Sequence, residues 1–168
     1  MINKYNWSVA KTIIQQPEVK ERVEQLSTII FIPQNLNKSV YTCARLTIGR
    51  KYFIVKTKTL YWLELHLNDI LKAYTISDKK ADMYFPIVKH IYEKGHYEIK
   101  VDIICQDENP YKVIKAEFLA LKEEVGKPLC LNKISEPYTP KYNSKTGMFG
   151  WLTKNQFLNF KKLVKANS

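Results

Sequence analysis

The sequence predicts an α+β domain in which helices flank a three-stranded antiparallel sheet, in the order strand, strand, helix, helix, strand, helix. Three observations carry this. Apolar residues alternate with polar ones in two runs, and a further run is continuously β-rich, the marks of three strands. Elsewhere apolar residues recur at steps of three and four, the spacing of one helix face. The first two strand runs are separated by a two-residue turn, so an antiparallel sheet satisfies the order without long crossovers. A chain of 168 residues suits one core of this kind.

Residues 1–38 read as an N-terminal helical arm or extension. Pro17 opens a short helix through Val19, Val23 and Leu26, and the apolar stretch from Ile29 to Ile32 is stopped by Pro33. The arm either packs on the domain or docks on another subunit. The core domain spans 39–132. From Val40 the period becomes two: Thr42, Ala44, Leu46 and Ile48 alternate with Tyr41, Cys43, Arg45 and Thr47, and a second β-rich run covers Tyr52 to Val55. Gly49-Arg50 puts Gly where a type II′ turn needs positive φ, making the pair a hairpin. Thr59 caps a helix whose Leu60, Leu63, Leu67, Ile70, Leu71 and Tyr74 form one stripe. A second helix is expected from Lys79 to Lys94, with Met83, Ile87 and Ile91 on one face, a kink or new start at Pro86 and a stop at Gly95.

Tyr97, Ile99, Val101 and Ile103 make the third strand. Asn109-Pro110 is an N-cap with Pro at the first helical position, launching a helix that buries Ile114, Phe118, Leu121 and Val125 and ends at Gly126. Residues 133–168 form a basic loop and a C-terminal helix packed on, or extending from, the core. The stretch 126–150 is rich in Gly, Pro, Asn and Ser and reads largely as loop. Thr153 and Gln156 fit a capping box for a helix that buries Phe157, Phe160 and Val164.

Composition narrows the function classes. No apolar run is long enough to cross a bilayer and nothing at the N-terminus reads as a signal peptide, so a protein that stays inside the cell is expected. Cys43, Cys105 and Cys130 are odd in number and lack paired spacing, and His66, His90 and His96 lack metal-ligand spacing. Buried, reduced thiols are expected. The net charge is +11, yet of 27 basic residues only Arg22, Arg45 and Arg50 are arginine. Lysine is a solvated point charge, whereas bidentate clamping of phosphate or guanine favours arginine. A solvated lysine surface and a phosphate-facing patch both fit. The excess peaks in 133–168, with seven lysines against the single acid Glu136, a segment suited to DNA or to an acidic partner.

The order of elements resembles the GIY-YIG endonuclease fold over Val40 to Asn132. Lys51 to Lys56 falls where that family has its second strand and YIG string, Leu60 to Leu71 where it has its first long helix, and Asn109-Pro110, Glu117 and Cys130-Leu131-Asn132 resemble its final segment. The resemblance implies phosphodiester hydrolysis on one divalent ion such as Mg²⁺. In that chemistry a Glu holds the metal, a Tyr helps activate the nucleophile and an Arg stabilises the phosphorane. Glu117 carries over. Val40-Tyr41-Thr42 is the nearest equivalent of the GIY string, and the YIG string reads Phe53-Ile54-Val55, or Tyr52-Phe53-Ile54 if the register shifts by one, which turns the strand's faces over. No Arg follows Arg50, so the helix from Leu60 offers Leu63 or Glu64 in place of the guanidinium. If the chain is active, the resemblance assigns catalysis to Glu117, Tyr41, Tyr52, Lys56 and Lys58, with Glu117 on the metal. Without the Arg, an inactive scaffold with no catalytic residue, metal or cofactor is the expectation.

Further strings resemble small proteins of crAss-like tailed bacteriophages: Lys51 to Ile54, Glu108 to Tyr111, Cys130 to Asn132, Pro137 to Lys141, and Trp151 with Phe157 to Lys161. That resemblance implies a virion protein, a neck or tail ring or connector subunit, assembled in the host cytoplasm against copies of itself and other virion proteins. Nucleic acid on the lysine-rich surface is a further expected partner, and a membrane is not. Tyr138, Tyr142, Phe149 and Trp151 supply aromatic surface for a ring neighbour, or else cover the sheet's open face. The alternative function is a metal-dependent DNA endonuclease.

Overall fold

The computed structural model describes residues 29–32, 36–72, 90, 98–132 and 139–168. The helix expected from Pro17, the helix expected at 79–94 apart from His90, and Tyr138 lie outside the described residues.

The chain forms an α+β fold around a three-stranded antiparallel sheet packed against helices. Strands β1 (Ile29–Phe31), β2 (Tyr41–Ile48) and β3 (Lys51–Thr57) precede helix α1 (Leu60–Lys72). Strand β4 (Glu98–Asp107) and helix α2 (Pro110–Glu124) follow, and then the two-residue strands β5 (Tyr142–Asn143) and β6 (Met148–Phe149) and helix α3 (Lys154–Ala166). The main sheet has the order β1-β4-β2-β3, with β2 antiparallel to both of its neighbours. The sheet therefore carries one strand more than the sequence pattern predicts. Ile29, Ile30 and Phe31 lie beside Glu98, Ile99 and Lys100 as a short parallel edge strand. Three residues are too few to show a period, and a parallel partner has no hairpin to announce it.

The β2–β3 hairpin closes through Gly49, at φ 62°, as the two-residue turn requires. Thr59 caps α1 by accepting from the Trp62 amide at 3.1 Å, and Leu60, Leu63 and Leu67 are buried. Asn109 caps α2 through the Tyr111 amide, and the Thr153–Gln156 capping box of α3 is complete. Residues 126–150 are not all loop, because β5 and β6 form a small antiparallel hairpin there. Val125 caps the C-terminus of α2 rather than extending its buried face.

Both faces of the sheet are covered. Cys43 and Ile54 pack with Val113 of α2 on one face, with Ala116, Ala120 and Leu121 around them. On the other face Thr42, Ala44, Leu46, Ile48, Phe53 and Val55 are all buried, α1 lies against β3, and the His90 ring sits 3.3 Å from the Ile48 carbonyl oxygen. One irregularity resets the alternation. Cys43 pairs with Cys105 but Ala44 with Ile103, so Ile104 is an extra residue in β4. Ile103 and Cys105 therefore project to opposite faces, and Cys105 joins the α2 side. Beyond α2, a second cluster of Ile114, Phe118, Leu152 and Phe160 fastens α3 to the domain.

Candidate functional site

The α2 face of the hairpin places the chemistry-bearing residues. Tyr41 and Cys43 of β2 and Tyr52, Ile54 and Lys56 of β3 share this face, because Cys43 pairs with Lys56 and alternate residues point the same way. Tyr52 and Lys56 are four strand residues apart, about 13 Å. Glu124 and Glu117 are seven helix residues apart, about 10 Å and nearly two full turns, on one helix face. With α2 running against β3, each carboxylate finds one partner below it.

Lys56 Nζ lies 3.1 Å from Glu117 Oε1, and the two side chains are only 17% and 14% exposed. Trp151 covers the pair, with the ammonium 5.9 Å from its ring centroid, and its ring also packs on Tyr41 at 5.1 Å. Beneath them the Cys43 thiol is pushed far above its ordinary pKa by burial, and next by the Glu117 carboxylate, so it stays protonated. Tyr41, Lys56, Glu117 and Trp151, from two strands, one helix and the turn before α3, thus form one enclosed cluster.

The second cluster is centred on Glu124, whose carboxylate accepts the Tyr52 hydroxyl hydrogen. Arg45 Nη2 and Lys127 Nζ approach Glu124 at 3.6 Å and 3.3 Å, and the Arg45 guanidinium lies over the Tyr52 ring at 4.4 Å. The bond to Glu124 raises the Tyr52 hydroxyl to about 12. In return the Tyr52 hydroxyl holds Glu124 below the usual carboxylate range, with Lys127 and Arg45 assisting.

Of the residues assigned to catalysis from the sequence, Glu117, Tyr41 and Lys56 come together. Tyr52 shares their face but is engaged at Glu124, and Lys58 is exposed past the end of β3. Phe53, which heads the first reading of the YIG string, is buried on the opposite face, and the shifted reading headed by Tyr52 is the one that lies on the Glu117 face. Leu63 is buried, and Glu64 pairs with Lys38 at 3.7 Å. Among the proposed interface aromatics, Trp151 and Phe149 are turned partly inward and Tyr142 is 60% exposed.

Glu117 already holds an ammonium, and among the described residues no three His, Cys, Asp or Glu side chains are grouped to bind a metal. Two features escaped the sequence reading. One is the Arg45–Tyr52–Glu124 cluster, whose only trace is the seven-residue spacing of Glu117 and Glu124 on a helix. The other is the structural role of Asn132, singled out in the sequence only within the Cys130-Leu131-Asn132 string: it accepts from the Ile54 amide at 2.7 Å and donates to the Ile54 carbonyl at 2.9 Å, pairing with the β3 edge as a strand would. No protein-family model, curated protein or solved structure matches the chain.

Proposed function

We propose that this chain is a structural subunit of a tailed-phage virion, a neck or tail ring or connector component built on a GIY-YIG-like scaffold that does not cut DNA. The observation that carries the non-catalytic half is the Lys56–Glu117 pair. A carboxylate serves as a metal ligand when its oxygens are free to face the ion, and here a lysine ammonium sits at 3.1 Å under a tryptophan. Freeing Glu117 costs the charge-assisted hydrogen bond, about 1.5–3 kcal/mol. The missing guanidinium adds to this: losing such a transition-state stabiliser costs about 3–4 kcal/mol in rate terms.

The virion half rests on the phage-like strings, Lys51 to Ile54, Glu108 to Tyr111 and Cys130 to Asn132 among them. It is supported by large apolar side chains in solvent, Tyr61, Trp62 and Leu65 on α1, the surface type that neighbouring subunits bury. Copies of this chain and other virion proteins are the implied partners, with host cytoplasm the place of assembly.

Two measurements test the proposal. Incubated with supercoiled plasmid and Mg²⁺ or Mn²⁺, the wild type is expected to leave the plasmid intact, as are Glu117→Ala and Lys56→Ala. Nicking by the wild type that disappears in Glu117→Ala overturns the non-catalytic reading. Peptide mass spectrometry of purified phage particles is expected to find the chain in stoichiometric amount, and its absence from the particles overturns the virion reading.

A further inference from the structure

We propose that the outer surface of the C-terminal unit, formed by β5, β6 and α3, binds single-stranded nucleic acid, with Tyr142 as a stacking platform for a base and the α3 lysines contacting phosphate. A ladder of three rings runs outward from the protein. Phe157 of α3, which packs on the Ile114–Phe160 cluster, stacks on Phe149 at 4.4 Å with 9° between ring planes, and Phe149 meets Tyr142 at 5.0 Å. The last ring, Tyr142, is the most exposed of the large apolar side chains among the described residues, at 60%.

Cations line the ladder. Lys161 Nζ is 5.5 Å from the Phe157 centroid, and Lys154, three residues before Phe157, falls on the same helical stripe as Lys161, four residues after it. Lys141 adjoins Tyr142, and Lys145 lies in the hairpin turn. Residues 139–168 contain no Asp or Glu, so no acid within the unit neutralises these ammonium groups. The platform is held in place by the backbone: the Phe149 amide donates to the Leu152 carbonyl at 2.8 Å, and the Gly150 amide donates to the Lys141 carbonyl at 3.0 Å.

An exposed flat ring beside several lysines matches the recognition of unpaired strands, in which bases stack on aromatic faces and cations follow the backbone. A duplex keeps its bases stacked inside and has nothing to offer the ring. Stacking on Tyr142 uses the flat face that every base has, so binding is expected to be largely indifferent to sequence. This surface is separate from the Glu117 cluster, toward which Trp151 turns, and the inference stands whether or not the chain cuts DNA.

The test is fluorescence anisotropy of a labelled oligodeoxythymidylate titrated with the full chain. Wild type is expected to bind at low salt, with log affinity falling against log salt at a slope of about −2 for three phosphate contacts. Tyr142→Ala is expected to weaken binding by about 5- to 100-fold and Tyr142→Phe to preserve it, since only the ring face is needed. The double substitution Lys154→Gln with Lys161→Gln should flatten the salt slope while leaving the circular dichroism spectrum unchanged. Four results each overturn the proposal: no binding at low salt, equal affinity in Tyr142→Ala, preference for duplex over single strand, or polyglutamate competing as well as unlabelled oligonucleotide.

Discussion

At the scale of single residues, the two carboxylates on one face of α2 both meet cations, but only Glu124 also accepts from a hydroxyl. Glu117 faces the Lys56 ammonium at 3.1 Å. Glu124 accepts from a neutral hydroxyl, a bond that exists only while Tyr52 keeps its proton. The linkage follows from the two shifts. Tyr52 is an acid whose folded value, about 12, lies above the unfolded value, so its contribution is complete below about pH 10 and disappears as pH rises toward 12. Glu124 is depressed, so its share is present above the unfolded carboxylate value and disappears as pH falls through the folded one. Tyr52→Phe removes the hydroxyl and keeps the ring under Arg45. In thermal melts, the wild type should be the more stable of the two at neutral pH, and its advantage should shrink between about pH 10 and pH 12. An advantage that stays constant across that interval would mean Tyr52 is not the titrating donor.

At the scale of elements, the free edge of β3 decides a stability question. Tyr52 donates to the Leu129 carbonyl and accepts from the Leu131 amide, and the next outward-facing backbone pair, at Ile54, is met by the buried side chain of Asn132. A side-chain amide here does the work of a further strand residue and closes an edge that would otherwise offer itself to another chain. Asn132→Ala leaves the buried amide and carbonyl of Ile54 without these bonds, and is expected to cost about 2–3 kcal/mol in urea unfolding and to promote association on storage. A loss under about 0.5 kcal/mol would show that water replaces the amide. The sequence made several elements legible because their signals are local: Gly49 in its turn, Thr59, Asn109-Pro110, and Thr153 with Gln156. What it left hidden depends on distant partners. β1 gains its identity from β4, the extra residue Ile104 is visible only against β2, and Asn132 reads as a loop residue until Ile54 is beside it. The same holds for the candidate site. The residue types Tyr41, Lys56 and Glu117 were readable, but that Lys56 would occupy Glu117 and Trp151 would roof them depends on how α2 and the C-terminal unit pack.

At the scale of the molecule, the question is whether the C-terminal unit folds with the domain or merely rests on it. Besides Trp151 on Tyr41 and Lys56, two connections join them among the described residues. Phe160 of α3 is 1% exposed and meets Phe118 of α2 edge-on at 5.7 Å, inside the cluster that also holds Ile114 and Leu152. At the helix starts, Gln156 accepts from the Thr153 amide and also donates to Asn109 at 2.9 Å, so the side chain that completes the α3 cap braces the cap of α2. Removing α3 would therefore strip both the apolar cover of α2 and a partner of its N-cap, and Trp151 would leave Lys56 and Glu117 open to solvent. This predicts one cooperative unit. Phe160→Ala should cost about 3–5 kcal/mol, because a large ring is lost from a site with little room to collapse. Native-state hydrogen exchange should show the Phe160 and Leu163 amides of α3 opening with the same free energy as the Phe118 and Leu121 amides of α2, with both sets falling together in the variant. Protection of α2 that outlasts that of α3 would divide the molecule in two, and the roof over Glu117 would then open independently of the sheet.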